Sequence, residues 1–315
     1  MPKFHIMLVI TVVALAVLVA CRRGGDAGAP DPAKEAAAKA FAAAEQTWRD
    51  QRRERLLAPD GWTSLIGLHW IEPGGHFLGS DVDNGIRLAK GPAHIGMLEL
   101  RKDAIRFVPD PSADLTLDGQ PFTGEAMLRT DSAQTGPSVI GFDGGKGTAT
   151  VIERSGRMAL RVKHVNAPAR VDFAGLEYWP ADAGWKVEGR FVAHPKGKTL
   201  DIANIVGSVD AVSNPGVIEF ERDGKTYRIE ALDEGGNELF LVFADRTNGH
   251  GSYPAGRFLY VPMPDADGRL SIDFNQAYSP PCAFTDFATC PLPPPENRLD
   301  LLIDAGEKAY RKPQA

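Results

Sequence analysis

The 315-residue sequence has few cysteines and no excess of basic residues. It contains only three cysteines, and its 35 lysines and arginines are outnumbered by 41 aspartates and glutamates, which gives a formal net charge of −6. No basic stripe runs along any segment, so nucleic acid is not expected as a partner.

Familiar catalytic and metal-binding motifs are also missing. Gly249-His250-Gly251-Ser252 has the wrong order for a Gly-x-Ser-x-Gly elbow, and neither His-Glu-x-x-His nor Cys-x-x-Cys occurs. The segment 141–148 is too short between its glycines for a phosphate loop and leads into a predicted strand, so it predicts a hairpin turn. The sequence therefore predicts no cofactor and no metal, and leaves open whether the protein is an enzyme.

The N-terminal segment carries the one long apolar run. Residues 6–20 are apolar except for Thr11, and the run is shorter than the roughly 20 residues that a membrane-spanning helix needs. A cleaved signal peptide over residues 1–20 is therefore favoured over a membrane-spanning anchor.

The end of this run resembles a bacterial lipobox, Leu18-Val19-Ala20-Cys21. The resemblance implies export, lipidation at Cys21 and anchoring to the cell envelope through the acyl chains. The residue after the cysteine is Arg22 rather than aspartate, which favours the outer membrane with the protein facing the periplasm. An ordinary signal peptide with an accidental cysteine is the alternative.

The segment after the cysteine predicts a tether and then a helix. Residues 21–34 are rich in Gly, Ala, Asp and Pro and should form a flexible lipidated tether. Residues 34–57 are Ala-rich without internal Gly or Pro, so they predict a helix that packs Trp48 on the body of the protein.

From Trp62 onward, short apolar runs alternate with turn pairs such as Asp118-Gly119. This pattern predicts a mainly β fold, with antiparallel sheets in a sandwich or barrel-like arrangement. Hairpins are predicted over 148–162 and 219–229. The run 239–244 predicts a central strand because it is apolar on both faces.

The strands predicted before residue 166 form a local meander, which suggests a division of the chain at that point. A boundary near residue 166 would separate the N-terminal helix and β meander of residues 35–165 from the C-terminal β region of residues 166–315, although a single domain is the alternative. Helical periodicity over residues 298–310 predicts a short C-terminal helix.

Polar side chains gather in the C-terminal part of the sequence, around the ends of predicted strands. The candidate binding or catalytic residues are Asp245, His250, Tyr253, Arg257, Asp273, Asn275 and Tyr278. An arginine between two carboxylates predicts either a site for an anionic group or a buried ion pair. We favour the ion pair, because structural networks also collect these residue types.

Cys282 and Cys290 lie close together among prolines. An even pair in an exported protein favours a disulfide. A metal site with His250 and a reactive thiol remain as alternatives.

Several segments resemble the bacterial domain-of-unknown-function family 1684. The most specific segment is 273–297, with Asp273-Phe274-Asn275, Pro280-Pro281-Cys282 and Cys290-Pro291. Further marks of the resemblance are residues 60–70, the pair Arg161-Val162, Phe173 with Gly175, and residues 243–259. The resemblance runs from about Trp48 to Glu307 and implies no established activity.

Two classes of function fit the sequence. The first is a lipid-anchored β-rich protein that binds a small ligand or an envelope component. The alternative is a periplasmic hydrolase or thiol-dependent enzyme with a site at the rim formed by residues 245–290. The first is preferred, because a nucleophile, a base and a charge stabiliser cannot all be assigned.

Overall fold

The computed structural model describes residues 31–313. The predicted signal peptide, the predicted lipidation site at Cys21 and most of the predicted tether lie outside the described residues. The chain divides into units of residues 1–42 and 43–315. The sheets, the cores and the candidate site all lie in the second unit.

The predicted N-terminal helix is confirmed as α1, Pro32–Leu57. It begins inside the segment predicted as tether, and proline suits this position because the first helical residues need no intrahelical N–H bond. From residue 43 onward α1 buries Glu45, Arg52 and Leu56. A second, short helix, α2, spans Pro168–Val171.

The mainly β prediction is also confirmed. In chain order the strands of the described residues are β1 (Leu65–Trp70), β2 (Gly74–Gly79), β3 (Ile86–Arg87), β4 (Gly96–Arg101), β5 (Ala104–Pro109), β6 (Thr116–Leu117), β7 (Gln120–Pro121), β8 (Ala126–Leu128), β9 (Val139–Phe142), β10 (Gly147–Arg154), β11 (Arg157–His164), β12 (Lys186–Ala193), β13 (Thr199–Ala203), β14 (Val209–Ser213), β15 (Gly216–Arg222), β16 (Lys225–Ala231), β17 (Glu238–Phe243), β18 (Arg257–Pro262) and β19 (Arg269–Asp273).

These strands form open sheets rather than a closed barrel. The larger sheets have the strand orders β1-β11-β10-β9-β6-β7, β3-β2-β4-β5-β8 and β16-β15-β12-β19, and β13–β14 and β17–β18 form two-stranded sheets. The ladders are antiparallel, apart from the short parallel pairing of β2 with β3. Antiparallel neighbours joined by tight turns explain why the turn signals in the sequence were frequent.

Both predicted hairpins are confirmed, as β10–β11 and β15–β16. The turn of the first has φ of 47° at Ser155 and 75° at Gly156, and that of the second has φ of 52° at Asp223 and 73° at Gly224. Two successive residues with positive φ match the twist of the flanking strands, which is why such pairs close two-residue hairpins.

The hydrophobic core has two main parts, which follow the chain. One part draws its buried residues from positions 66–167 and the other from positions 185–305. A smaller cluster packs Leu65 against buried residues between Ile202 and Cys290. The predicted division near residue 166 stays a prediction.

The strand β17 is buried along most of its length, as its sequence predicts. Its ladder, however, runs only with β18, and on its other side it makes a single bridge between Leu232 and Phe240. The prediction of a central strand is therefore correct for burial but wrong for position within a wide sheet.

The predicted C-terminal helix over residues 298–310 is wrong. Burial in this segment alternates: Leu299, Leu301, Ile303 and Ala305 are buried, while Leu302 is 55% exposed. The backbone bonds to other segments instead, through Arg246 N–H to the Leu301 carbonyl and Glu307 N–H to the Ala277 carbonyl. Side-chain burial that alternates with a period of two, together with backbone hydrogen bonds to other segments, is typical of an extended segment.

Candidate ligand-binding cavity

The predicted pair of Arg257 and Asp245 exists, and it lies in the interior. The Arg257 Nη2 donates to Asp245 Oδ2 at 2.6 Å, and both side chains are fully buried. Arg257 also donates to the carbonyls of Ile303 and Ala305, so three acceptors surround its charge. Burial lowers the pKa of Arg257, and the Asp245 carboxylate opposes that shift.

Both Nη atoms of Arg257 donate to protein acceptors, its Nε is buried without a hydrogen-bond partner among residues 31–313, and the side chain does not line the cavity described below. Asp245 has a structural role as well, since its Oδ1 accepts from the Thr247 N–H at 2.8 Å. The interpretation of this pair as a structural ion pair therefore fits the contacts.

The other residues of the predicted rim lie in different places. Asn275 is buried and exchanges hydrogen bonds with the backbone of Asp182 at 2.9 and 2.8 Å. Asp273 Oδ1 accepts from the Asn275 N–H at 3.1 Å and so caps a short 3-10 helix.

Tyr253 packs beside Phe284 in a small apolar cluster, and burial raises the pKa of its hydroxyl. His250 is exposed at a turn.

The two sulfur atoms of Cys282 and Cys290 lie at disulfide-bond distance, with their Cα atoms 6.2 Å apart, which is within the usual range for a disulfide. The predicted disulfide thus has the required geometry. A thiol site or a metal site with His250 has no support from this arrangement. Of the predicted site residues that lie between positions 31 and 313, only Tyr278 and Cys290 line the cavity described next.

A cavity of about 410 Å³ opens between the β10–β11 hairpin, helix α1 and the segment that contains the cysteines. Its walls combine arginines with aromatic rings and prolines. The lining residues are Arg52, Arg55, Leu56, Trp62, Arg154, Arg161, Glu234, Phe240, Phe258, Tyr260, Tyr278, Pro281, Thr289, Cys290 and Pro291.

The β10–β11 hairpin brings two of these arginines together. Val162 is buried in the core, so the adjacent Arg161 lies on the opposite face of β11. Arg161 pairs in register with Thr150, and Arg154, four residues further along the same strand as Thr150, shares that face. The Thr289 hydroxyl accepts from Arg154 Nε at 3.3 Å and from Arg161 Nη2 at 3.2 Å.

Arg154 and Arg161 differ in how their charges are compensated. Arg154 forms an ion pair with Asp131 at 2.8 Å. Arg161 has no carboxylate partner among residues 31–313, and its Nε is buried without a hydrogen-bond partner. Burial, reinforced by the charge of Arg154, lowers the pKa of Arg161 to about 10, so the side chain keeps its charge at neutral pH.

Helix α1 forms the opposite wall. Arg52 is buried and donates to Glu307 Oε1 at 3.0 Å and to the Ser279 carbonyl at 2.9 Å. Its guanidinium lies over the ring of Tyr278, 4.4 Å from the centroid. Arg55, one turn further along α1, is exposed and makes no salt bridge within the described part of the chain.

Aromatic rings form the floor of the cavity. Phe240 and Tyr260 stack with centroids 4.8 Å apart, and Phe258 meets Tyr278 edge to face at 5.9 Å. Tyr260 donates to Glu234 Oε2 at 2.7 Å. Burial raises the pKa of both Tyr260 and Tyr278, so neither hydroxyl ionises near neutral pH.

A second cavity of about 440 Å³ adjoins the first. It shares Arg52, Arg55, Tyr260 and Tyr278 with the first cavity and is extended by Trp48 and Gln276. The two cavities therefore lie side by side along α1 and share these four side chains as walls.

The sequence did not single out Arg154, Arg161 or Thr289 as site residues. Arg161 appeared only as part of the Arg161-Val162 pair in the family resemblance. A charged residue between buried positions of a predicted strand was the available signal, because such a side chain must face a partner, a ligand or solvent.

Two structural tests bear on cofactors and membranes. Within residues 31–313, no three His, Cys, Asp or Glu side chains come together as a potential metal site. No helix of this part of the chain is long and apolar enough to cross a membrane.

Comparisons with known proteins give a family but no activity. A solution NMR structure of an uncharacterized protein from gene locus rrnAC0354 of Haloarcula marismortui is 33% identical, over 44% of this chain and 78% of that chain. Its TM-score of 0.37 is too low for a comparison of the two sites. No curated protein matches the chain.

The family described as "Protein of unknown function (DUF1684)" matches residues 171–308. The Pro- and Cys-rich segment that carried the resemblance lies inside this match, whereas the resemblance of residues 48–170 stays a prediction. Over residues 171–308 the chain therefore belongs to the DUF1684 family.

Proposed function

We propose that this protein binds a small organic anion with an apolar or aromatic body in the cavity between α1, the β10–β11 hairpin and the segment with the cysteines. The volume of about 410 Å³ falls in the range of small-molecule sites. The mixture of arginines and aromatic rings suits a ligand that has an acidic group at one end and a flat or apolar group at the other.

The observation that carries the proposal is the state of Arg161. A buried arginine normally has a carboxylate or several carbonyls around it, because leaving a charge unpaired away from water is costly. Arg161 is half-buried, donates to one neutral hydroxyl and lies over the Trp62 ring, 5.3 Å from its centroid. It also lies beside a second arginine, and the nearby Asp131 carboxylate forms its ion pair with Arg154 rather than with Arg161. An anionic group in the cavity would supply the missing partner.

The direct test is isothermal titration of the full chain with phenyl phosphate, compared with inorganic phosphate and with phenol. We expect phenyl phosphate to bind more tightly than either fragment, because it uses both the arginines and the aromatic floor. In Arg161→Gln the affinity should fall at least about tenfold, since a charge-assisted hydrogen bond contributes roughly 1.5–3 kcal/mol.

The matched control is Arg157→Gln on the same strand. The Arg157 side chain is 62% exposed, and its guanidinium lies over Trp70 rather than in the cavity. This variant should bind phenyl phosphate like the wild type. Absence of saturable binding of phenyl phosphate to the wild type, or equal affinities of the Arg161→Gln variant and the wild type, would contradict the proposal.

We also propose that the protein is exported and anchored to the cell envelope through lipid on Cys21, with its binding cavity facing the periplasm. The support is the apolar run of residues 6–20 followed by Leu18-Val19-Ala20-Cys21 in the sequence. Metabolic labelling with palmitate should mark the wild type and not Cys21→Ser. Equal labelling of the two proteins would contradict the anchor.

The alternative function, a hydrolase or thiol-dependent enzyme at the 245–290 rim, gains no supporting contact. The two sulfurs lie at bonding distance from each other, and His250 is exposed at a turn. The binding function is therefore the one that the geometry favours.

A further inference from the structure

We infer that the loop closed by Cys282 and Cys290 is a working part of the anion site, because it presents the Thr289 hydroxyl to the ligand, and that reduction of the disulfide lowers the affinity for the anion. The inference rests on the proposed function and deepens it. It assigns a role to Thr289 and a form of regulation to the same cavity.

The hydroxyl of Thr289 has a hydrogen that it can donate to a ligand. A hydroxyl has two acceptor positions and one hydrogen to donate. Both acceptor positions are used, by Arg154 Nε at 3.3 Å and Arg161 Nη2 at 3.2 Å. Thr289 makes no side-chain donation to a residue between 31 and 313, and it lines the cavity. Its hydrogen is therefore free to bond an oxygen of the ligand.

The positive charges of Arg154 and Arg161 lie close together at this point of the cavity wall. Two guanidinium groups share one neutral oxygen, and Asp131 forms an ion pair with Arg154 while it interacts with Arg161 only at longer range. The neighbouring charge of Arg154 is one of the causes that lower the pKa of Arg161. An oxyanion placed against both arginines and the hydroxyl relieves this repulsion and accepts three hydrogen bonds. A carboxylate or a phosphate has the oxygens for such an arrangement.

Thr289 is held in place through its neighbour in the chain, Cys290. Its own backbone takes part in no backbone hydrogen bond within the part of the chain that is described. The next residue, Cys290, is fixed on two sides: its sulfur lies at bonding distance from that of Cys282, and its carbonyl accepts from the Ile205 N–H at 3.0 Å. The disulfide is thus one of the two attachments next to Thr289.

Reduction removes that attachment. A dithiol reductant attacks one sulfur, the S–S bond breaks, and each cysteine sulfur gains one electron and one proton while the dithiol becomes a cyclic disulfide. The loop between the cysteines then gains conformational freedom. Thr289 leaves its fixed position between the arginines for part of the time, so the bound anion loses a donor and the arginines lose their common acceptor.

The experiment is titration of the full chain with phenyl phosphate in oxidised and dithiothreitol-reduced states. In the oxidised state, Thr289→Val removes the hydroxyl at constant shape and should weaken binding about tenfold, whereas Thr289→Ser should stay within about twofold of the wild type. Thr148→Val, on β10 and outside the cavity lining, is the matched control and should bind like the wild type.

The decisive comparison is between reduction and substitution. Reduction should weaken binding by the wild type several-fold and add little in Thr289→Val, because both changes remove the same contact. If the affinity for phenyl phosphate returns after reoxidation, and the reduced protein has the same circular dichroism spectrum as the oxidised protein, the loss of affinity is not due to unfolding. Cys282→Ser with Cys290→Ser should reproduce the reduced wild type.

The possible failures can be told apart. If the wild type binds phenyl phosphate and Arg161→Gln loses it, but Thr289→Val and reduction change nothing, the role of the loop is wrong and the binding function stands. If reduction weakens the wild type and Thr289→Val equally, the disulfide acts through another contact and the inference is overturned. If the wild type does not bind, the proposed function fails and this inference fails with it.

Discussion

Arg257 is fully buried and Arg161 is half-buried, and the two guanidinium groups differ in what surrounds them. Arg257 donates to a carboxylate and to two backbone carbonyls in the fully buried interior. Arg161 reaches one hydroxyl at the wall of a cavity and has a buried Nε without a partner in the part of the chain that the structure describes. The Nε of Arg257 is likewise buried without a hydrogen-bond partner among residues 31–313, so the difference lies in the charge partner and in the surroundings. An ion-paired carboxylate in the closed interior identifies a structural arginine, and a guanidinium next to open space with no ion-paired carboxylate in the described part of the chain identifies a candidate binding residue.

The largest effect that this comparison predicts is on Arg257. Replacing it by methionine leaves Asp245 buried without a cation, so the free energy of unfolding should fall by about 3–5 kcal/mol. Urea denaturation measures it. Arg246→Met is the control, because Arg246 is 62% exposed and pairs with Asp300 at the surface, and it should cost less than about 1 kcal/mol. Equal losses in the two variants would remove the distinction between a buried and an exposed pair.

The next effect concerns the wall formed by α1. Glu307 is fully buried, and it accepts from Arg52 at 3.0 Å and from the Ser279 N–H at 2.7 Å. Glu307→Gln keeps the shape but removes the charge that compensates Arg52, so unfolding should become easier by about 2–3 kcal/mol. Faster amide exchange in the last turns of α1 than in the wild type is the accompanying sign. Unchanged exchange there would show that Arg52 is not held by this carboxylate.

A smaller effect, and of opposite sign, is expected at Arg161. Its charge is desolvated and has no carboxylate partner among residues 31–313. Arg161→Gln should therefore leave the free energy of unfolding unchanged or raise it by up to about 1 kcal/mol, while phenyl phosphate binding is lost. Thermal denaturation with and without phenyl phosphate separates the two quantities. A loss of stability as large as that of Arg257→Met would show that Arg161 is structural.

The smallest predicted effect is that the free energy of unfolding depends on pH through Glu45 on α1. Burial, and then the nearby charge of Asp273, raise the pKa of Glu45 above the ordinary value of 4.5. The folded state thus binds this proton more tightly than the unfolded state does. The stabilisation is complete below pH 4.5 and is lost as the pH rises through the folded-state pKa.

Denaturation of the wild type and of Glu45→Gln at several pH values between about 4 and 8 measures this contribution. The wild type should lose stability relative to the variant as the pH rises from about 4.5, because the charged carboxylate is buried beside Asp273. Glu54→Gln, at an exposed position of the same helix, is the control and should follow the wild-type profile. Parallel pH profiles for the wild type and Glu45→Gln would contradict the assignment.

The sequence predicted local structure well where burial alternates between turn signals. The β10–β11 and β15–β16 hairpins follow directly from such patterns. It failed at residues 298–310, because Leu302 is apolar and yet exposed, which hid a period of two behind an apparent helical period. An exposed leucine cannot be distinguished from a buried one by its type alone.

The candidate site was only partly predictable. The cysteines and Tyr278 stood out by type and context, and both Cys290 and Tyr278 line the cavity. Arg161 and Thr289 are 128 residues apart in the chain, so their contact depends on how the hairpin and the loop meet. Local propensity carries no information about such a contact.

The carbonyls of Ile303 and Ala305 have a consequence for synthesis of the chain. They are two of the three acceptors that surround Arg257, and Glu307, which holds Arg52, follows directly after them. A nascent chain that ends before residue 303 contains Arg257 and Asp245 but lacks the other two acceptors of the guanidinium. Completion of this half of the protein must therefore wait until residues 303–307 have left the ribosome, and a truncation that removes them takes two acceptors from Arg257 and the carboxylate from Arg52.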